Sequence, residues 1–148
     1  MRIAIGNDHA AVAMKLELIE HMTTMGVEVD NLGVDTEESM DYPDIAAAVG
    51  RAVAAGEADL GVVLCGTGIG VSISANKVPG VRAALCCYEY HARMAREHNF
   101  ANVCCMGARV TGHELAKAIL TAFIETPESE EERHHRRRRK MEALDNAR

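Results

Sequence analysis

The chain has 148 residues, of which 48% are hydrophobic and only 3% aromatic, and it contains no tryptophan. This length suits one domain, spanning 1–148, and this composition favours the close packing of small aliphatic side chains in an α/β protein over a β-sandwich. The formal net charge of −6 argues against nucleic-acid binding through bulk charge. No apolar run approaches the roughly 20 residues of a membrane span and no leader precedes the first one, so we expect a cytoplasmic protein with no membrane partner.

Apolar runs and amphipathic segments alternate along the chain. The predicted strands cover 2–6, 27–33, 60–65, 81–87 and 101–107. The predicted helices cover 10–24, 44–55, a segment that begins near Thr67, 88–98, 112–124 and a polar tail from Glu128. Right-handed crossovers between five such βα units place helices on both faces of a parallel sheet. We therefore predict a Rossmann-like three-layer α/β/α fold with a five-stranded parallel sheet and an extra C-terminal helix within 127–148.

Five cysteines stand at positions 65, 86, 87, 104 and 105, and no two of them form a C-x-x-C motif. An odd number with two adjacent pairs is a poor disulfide framework. Adjacent residues of a strand also point to opposite faces, so neither pair can chelate a metal ion alone. Both pairs are predicted to be small buried hydrophobic side chains.

Polar residues collect around the strand ends, where parallel α/β proteins carry their functional groups. Asp8 and His9 follow the first strand, and Arg109 follows the fifth. His98 and Asn99 stand just before the fifth strand and are assigned to the same edge of the sheet. Asp8 is also a residue type that caps helices, so a capping role and a functional role both remain open for it.

The glycine-rich segment CGTGIG at 65–70 has the form of a strand that breaks into a loop and then a helix. It lacks the spacing of a P-loop, and it lacks the G-x-G-x-x-G fingerprint after a first strand that binds dinucleotides. Its glycines still allow backbone N–H groups to converge on an anion, which could be a phosphate or an oxyanion formed during a reaction. A helix N-terminus favours the thiolate form of a cysteine, so Cys65 is interpreted as a base or a nucleophile rather than as a fifth core cysteine.

The basic block RHHRRRRK at 133–140 supplies candidates for binding phosphate. Arg133 and Arg137 are four residues apart and therefore share one helix face. Arginine binds phosphate oxygens through a bidentate fork. The other basic residues of the block follow three glutamates and are interpreted as a solvated helix face.

Seven motifs in register resemble the ribose-5-phosphate isomerase B family, which is grouped with the galactose-6-phosphate isomerase subunits. They are G-x-D-H at 6–9, D-Y-P at 41–43, C-G-T-G-x-G at 65–70, A-N-K at 75–77, H-N at 98–99, G-x-R at 107–109 and R-H-x-R-R at 133–137. The resemblance covers nearly the whole chain in order and without large gaps.

By this resemblance, the chain is an aldose–ketose isomerase without metal or cofactor that acts on a phosphorylated sugar through a cis-enediolate. Cys65 is implied to be the base that moves a proton between carbons 1 and 2. His98 is implied to be the acid/base that opens the sugar ring, and the Thr67 hydroxyl belongs to the anion hole. The backbone of that anion hole is supplied by Gly66, Gly68, Ile69 and Gly70.

The resemblance also implies a set of substrate-binding residues. Asp8 would contact sugar hydroxyls, Asn99 would lie beside His98, and Tyr42 would line the pocket. The phosphate would be held by His9, Arg109, Arg133 and Arg137. The family shares its active site across a dimer, so we expect a homodimer or a dimer of dimers in which His98 and Arg109 serve the partner's Cys65.

Three alternatives remain open at the level of sequence. The same chemistry would serve an isomerase of a six-carbon sugar phosphate, such as allose 6-phosphate or galactose 6-phosphate, with the loop at 34–42 setting the length of the pocket. A nucleotide-binding signalling module would use the glycine loop for phosphates and need no thiol. A nucleic-acid binder would use the arginine tail, but the acidic body of the protein disfavours it, and we expect no nucleic-acid partner.

Overall fold

The computed structural model describes residues 1–145, which form one sheet with helices on both of its faces. The strands are β1 (Arg2–Asn7), β2 (Glu28–Asn31), β3 (Leu60–Cys65), β4 (Ala83–Leu85) and β5 (Val103–Gly107). The helices are α1 (Val12–Thr24), α2 (Tyr42–Ala54), α3 (Ile69–Ala75), α4 (Glu89–Asn99), α5 (His113–Glu125) and α6 (Glu132–Glu142), and a 3-10 helix covers His9–Ala11. The last three residues of the predicted C-terminal segment, 146–148, lie outside the described residues.

The sheet has the strand order β2-β1-β3-β5-β4, and all of its pairings are parallel. The central strand β3 is buried along its whole length, which explains its uninterrupted apolar sequence LGVVLC. Helices α1, α4 and α5 pack on one face of the sheet, and α2 and α3 pack on the other. The additional helix α6 lies against α4. The predicted three-layer fold with five parallel strands is therefore confirmed.

Successive residues of each strand contribute to two separate cores, and the cysteines of β5 illustrate this alternation. Cys104 packs with the side chains of α1, α4 and α5, whereas Cys105 packs with those of α2 and α3. Burial raises the pKa of Cys105, and a hydrogen bond with Cys86 together with burial raises the pKa of Cys104. These thiols stay protonated and act as packing groups, as predicted. Cys87 differs, because it is only half-buried and lies beyond the end of β4.

The fourth strand is shorter than the predicted span 81–87. The N–H of Val81 still donates to the carbonyl oxygen of Val78 at 3.1 Å, so this residue belongs to the turn that follows α3. The side chain of Asn76 then occupies the outward-facing backbone of Ala83. Its Nδ2 donates to the Ala83 carbonyl oxygen, and its Oδ1 accepts the Ala83 N–H, both at 2.9 Å. Asn76 thus takes the place that a further strand would have. The second strand is also shorter than the predicted 27–33.

Each of the six helices begins one to four residues away from its predicted start. Helix α2 begins at Tyr42 rather than at 44. Pro43 fits into its first turn, because N–H groups there have no partner within the helix and a proline, which has no N–H, loses no hydrogen bond. Helix α3 begins at Ile69 rather than near Thr67, because Gly68 has a left-handed φ of 76° and cannot be part of the helix. Helix α6 begins at Glu132, four residues after the predicted start.

Candidate active site

The loop that follows β3 brings a backbone amide to the thiol of Cys65. This residue ends the strand and is only 5% exposed, and its Sγ accepts a hydrogen bond from the Gly68 N–H at 3.1 Å. The hydroxyl of Thr67, on the exposed side of the loop, accepts the Ile69 N–H at 3.4 Å. The sulfur atom therefore accepts one backbone N–H of the glycine loop, and backbone N–H groups in such turns are donors that can bind an anion.

Two glycines make this loop geometry possible. Gly68 has a positive φ, and a Cβ at this position would lie 2.5 Å from Leu85 Cδ1 and 2.8 Å from the Met106 carbonyl carbon. Gly107 ends β5 opposite Cys65, and a Cβ there would lie 2.6 Å from the Cα of Thr67. The loop can fold back onto the edge of the sheet only because both positions lack a side chain.

Asp8 and His9 follow β1 at the same edge of the sheet. The Asp8 carboxylate is buried, and its Oδ1 accepts the Ala10 N–H at 2.9 Å, so it caps the 3-10 helix as the capping interpretation predicts. The Asp8 N–H donates to the Leu64 carbonyl oxygen at 3.1 Å, which fixes this turn beside the end of β3. His9 is half-buried, and its Nδ1 accepts the Met40 N–H at 3.5 Å. Both residues therefore lie at the edge that carries Cys65.

Two further predicted residues contact the glycine loop itself. The Arg109 N–H donates to the Gly66 carbonyl oxygen at 2.9 Å. That bond is made by the backbone of Arg109, and its side chain covers Gly66, since a Cβ on that glycine would lie 3.3 Å from the arginine Nη1. Tyr42 begins α2 with its ring against Gly70, whose Cβ would lie 2.6 Å from two ring carbons. A cation and an aromatic wall thus border the loop of the same chain.

His98 and Asn99 lie at the opposite edge of the sheet, and the prediction that they share an edge with Cys65 within one chain is wrong. They end α4 directly before β5, so they lie near the amino ends of the parallel strands. At about 3.3 Å per residue, the two ends of a five-residue strand such as β5 are about 13 Å apart. A residue just before a parallel strand lies at the amino end of that strand, whereas the residues that follow a strand lie at its carboxyl end. The prediction did not distinguish between these two positions.

The arginines of α6 accompany His98 at this amino-terminal edge. The rings of His98 and His134 are stacked, with centroids 4.3 Å apart and planes inclined by 7°. Arg133 donates from Nε to His134 Nε2 at 3.2 Å and pairs with Glu131 at 2.7 Å. Arg137 is exposed and pairs with no carboxylate among residues 1–145. Burial, followed by the neighbouring charges of His98 and Arg133, lowers the pKa of His134.

Two residues of structural interest were not among the predicted site residues. His134 occupies the second position of the R-H-x-R-R motif, so the motif itself could have indicated it. Lys15 is fully buried on α1, in the same helical stripe as Ala11 and Leu18. A lysine in an apolar stripe was the available signal, but lysine is so rarely buried that the pattern alone does not single it out.

Within residues 1–145, no group of three or more histidine, cysteine, aspartate or glutamate side chains is arranged to hold a metal ion. None of the helices described here combines the length and the apolar character that crossing a bilayer requires.

The chain is thus an α/β protein with a parallel sheet, whose carboxyl edge carries a buried thiol at a glycine loop together with a histidine and an arginine. The family model described as "Ribose/Galactose Isomerase" matches residues 3–141. The chain belongs to this family.

The similarity to individual relatives extends over most of the chain. Ribose-5-phosphate isomerase B of Escherichia coli is 46% identical over 123 residues, which are 83% of both proteins. D-erythrulose-4-phosphate isomerase of Pectobacterium atrosepticum is 44% identical over 126 residues, 84% of this chain and 83% of the relative. The structure of type B ribose 5-phosphate isomerase from Trypanosoma cruzi aligns with a TM-score of 0.97 and 47% identity over 100% of both chains.

These matches confirm the family predicted from the seven motifs and show that the protein is an isomerase. The assignment of individual residues to catalytic roles stays a prediction.

Comparing two glycine substitutions would isolate the steric requirement of the loop. Gly68 and Gly26 have nearly the same φ, 76° and 75°, but only Gly68 has atoms within 4 Å of its Cβ position. Gly26→Ala should lower the free energy of unfolding by about 1 kcal/mol through backbone strain alone. Gly68→Ala should cost more, because Leu85 and the β5 backbone must also move, and it should abolish isomerase activity. Urea denaturation and a turnover assay measure both effects, and equal costs with retained activity would contradict the steric explanation.

The stacked histidines predict a dependence of stability on pH. The pKa of His134 is lower in the folded protein than its usual value of 6.5, so below that pH the unfolded chain binds a proton that the folded chain excludes. The free energy of unfolding should therefore decrease as the pH falls below about 6.5. Thermal unfolding from pH 8 to pH 5 should show a smaller decrease for His134→Gln than for the wild type. Identical pH profiles would contradict this origin of the dependence.

Proposed function

We propose that this protein interconverts ribose 5-phosphate and ribulose 5-phosphate through a cis-enediolate, with Cys65 as the base. The observation that carries the proposal is the hydrogen bond from the Gly68 N–H to Cys65 Sγ at 3.1 Å. This bond holds the sulfur atom at the glycine loop, and the thiolate is the form of a cysteine that can remove a proton. The family and the first-named relative both support a sugar phosphate as the substrate.

Proton transfer is the central step of this proposal. The Cys65 thiolate removes the proton from carbon 2 of the open-chain aldose, and the same thiol returns it to carbon 1 of the enediolate. The hydroxyl proton of oxygen 2 passes to oxygen 1 in the same conversion, which leaves a carbonyl group at carbon 2 and gives the ketose. Negative charge develops on the two oxygen atoms of the enediolate between these transfers. The amides of 66–70 and the Thr67 hydroxyl are proposed to stabilise it, because donors held in place before the reaction lower the barrier most effectively.

Other residues would open and orient the sugar. His98 is proposed to act as acid and base on the ring oxygen and the anomeric hydroxyl, with Asn99 beside it. The Asp8 carboxylate uses one oxygen to cap the 3-10 helix and has a second oxygen for a sugar hydroxyl. The ring of Tyr42, already in contact with the glycine loop, would form one wall of the pocket.

The phosphate is proposed to be bound by one histidine and three arginines. His9 and Arg109 belong to the edge that carries Cys65, whereas Arg133 and Arg137 belong to the opposite edge. Arg109 lies over Gly66 of its own chain, which favours phosphate binding by Arg109 in the active site of its own subunit. The expectation was that it would bind phosphate in the partner's site. Phosphate binding far from the reacting carbons provides energy for orienting them.

The division of these residues between two edges supports a site shared by two subunits. One chain cannot bring His98 to Cys65 when the length of the sheet separates them, but a two-fold dimer can place the amino edge of one subunit at the carboxyl edge of the other. Exposed apolar side chains border the carboxyl edge, as a partner surface requires. They are Ile69, Ile73, Tyr88 and Val110. We propose a homodimer, alone or paired into a dimer of dimers.

The length of the sugar is the least constrained part of this proposal. The family description includes galactose isomerases, which favours a six-carbon alternative such as galactose 6-phosphate or allose 6-phosphate. The Pectobacterium relative is named for a four-carbon substrate, so D-erythrulose 4-phosphate joins the alternatives. A nucleotide-binding role is disfavoured by the isomerase family and by the buried thiol at the loop. A cytoplasmic location and the absence of a nucleic-acid partner belong to the same proposal.

Replacing Cys65 tests the proposed base. Cys65→Ala should reduce turnover of ribose 5-phosphate by about 10²–10⁴-fold or more, because the proton acceptor is lost. Circular dichroism should show an unchanged fold, and calorimetry should show that ribose 5-phosphate still binds. Cys87→Ala is the control, since this half-buried cysteine lies outside the loop. Unchanged turnover by Cys65→Ala would refute the assignment of Cys65 as the base. Wild-type turnover should be measured with four sugar phosphates: ribose 5-phosphate, allose 6-phosphate, galactose 6-phosphate and D-erythrulose 4-phosphate.

Mixing two inactive variants tests whether the site is shared. Cys65→Ala and His98→Asn homodimers should each be inactive. After exchange of subunits, a heterodimer contains one site with both residues intact, so a random mixture should recover about a quarter of the wild-type rate. Two sites that are each built from one chain would give no recovery. Size-exclusion chromatography with light scattering would confirm that subunits exchange.

A further inference from the structure

Lys15 is a charged residue enclosed by the apolar core. It lies on α1 between Ala11 and Leu18, two residues of the core on the same side of the helix, and none of its surface is exposed. An ammonium group removed from water is costly unless its donors are satisfied, so its partners within the protein determine what it can do.

The Lys15 ammonium reaches the segment that follows β2. Its Nζ donates to the Val34 carbonyl oxygen at 2.8 Å and to the Asp35 carboxylate. Asp35 itself is largely exposed, with 68% of its side chain accessible, and Asn31 donates to the same carboxylate oxygen at 3.2 Å. The hydrogen bond from Lys15, with a smaller contribution from Asn31, lowers the pKa of Asp35. A buried cation thus holds a carboxylate and a carbonyl of a surface loop.

This loop, residues 32–41, has both of its ends against the candidate active site. At its start, Gly33 lies so close to the turn before Asp8 that a Cβ on it would be 2.7 Å from the Asn7 backbone nitrogen. At its end, the Met40 N–H donates to His9 Nδ1, and Tyr42 follows with its ring on Gly70. The loop therefore extends over the carboxyl edge from β1 towards the glycine loop.

The middle of the loop has few contacts of its own. Residues 36–39 are exposed and make no hydrogen bond with the rest of residues 1–145. Its path therefore depends on anchors at the two ends. The bond to His9 is long, at 3.5 Å, whereas Lys15 provides an ion pair and a normal hydrogen bond. The firmer anchor is the buried lysine.

We propose that Lys15 is a positioning residue, which fixes the loop 32–41 over the active site and thereby sets the distance available between the phosphate at His9 and the glycine loop. This inference rests on the proposed isomerase function. A fixed loop holds a wall at one distance and favours one length of sugar phosphate. A released loop should admit sugars of other lengths and bind each of them less well.

The test compares variants that remove either the lysine or the aspartate of the Lys15–Asp35 ion pair. Lys15→Met keeps the apolar stem and removes the charge, whereas Asp35→Ala removes the exposed partner and leaves the Val34 carbonyl oxygen as an acceptor for the buried ammonium. Asp35→Asn keeps an oxygen acceptor and should restore part of the function. Lys117→Met is the matched control, because it removes a surface lysine that also pairs with carboxylates, Glu17 and Glu114, on the outer face of the protein.

We expect Lys15→Met and Asp35→Ala to raise KM for the preferred sugar phosphate about tenfold and to change kcat by less than about threefold. The ratio of kcat/KM between five-carbon and six-carbon substrates should move towards one in both variants. Hydrogen exchange of the amides in 32–41 should become faster in both. Lys117→Met should behave as the wild type in all three measurements.

The outcomes separate this inference from the proposed function. Wild-type protein that converts none of the four sugar phosphates would overturn both. An active wild type with the same KM and the same substrate ratio in Lys15→Met and Asp35→Ala would overturn the positioning role alone. A lower melting temperature without a change in the substrate ratio would also overturn it, because a purely structural lysine predicts that result. If Lys15→Met does not fold, Asp35→Ala decides the question by the same criteria.

Discussion

The close approach of Thr67 to Gly107 is the constraint on which the candidate site depends. The register of β3 and β5 sets Cys65 opposite Gly107, and the absence of a side chain there lets the next residues of the loop lie directly on the sheet edge. Only from that position can the Gly68 N–H turn back to the sulfur of Cys65. A side chain at 107 would lift the loop and separate the amide from the thiol. The reaction proposed for Cys65 at the end of β3 thus depends on Gly107 of the neighbouring strand β5.

The polarity of the sheet has a second effect, which concerns assembly. Every strand points the same way, so each helix that follows a strand begins near the carboxyl edge and ends near the amino edge. Residues at the end of α4 and on the adjoining α6 are therefore kept away from Cys65 by the length of the sheet. The stack of His98 on His134 fixes these two helices to each other. The helices α4 and α6 carry four of the proposed site residues, namely His98, Asn99, Arg133 and Arg137. The proposed dimer brings these residues to the Cys65 of the partner subunit.

The sequence predicts local features well where one interaction determines them. The fold follows from the alternation of apolar runs and helices, and the glycine loop follows from the spacing of Gly66, Gly68 and Gly70. The edge that carries His98 was assigned incorrectly, because order along the chain does not show the direction in which the preceding helix runs. The short β4 depends on the hydrogen bonds of the Asn76 side chain, and the buried Lys15 depends on its partners in the loop 32–41. Neither set of contacts has a periodic signal in the sequence.

The side chain of Asn76 also limits the pairing of the edge strand β4 with other chains. An edge strand with free N–H and C=O groups is a template for pairing with other chains, and it promotes aggregation. At one edge, Asn76 saturates the outward groups of Ala83, so the short β4 offers little for a stray strand to bind. At the other edge, β2 carries the charges of Glu28 and Asp30 beside Arg2, and bringing a second strand there would desolvate them. Both edges of this wholly parallel and highly apolar sheet are therefore poor templates for pairing with another chain.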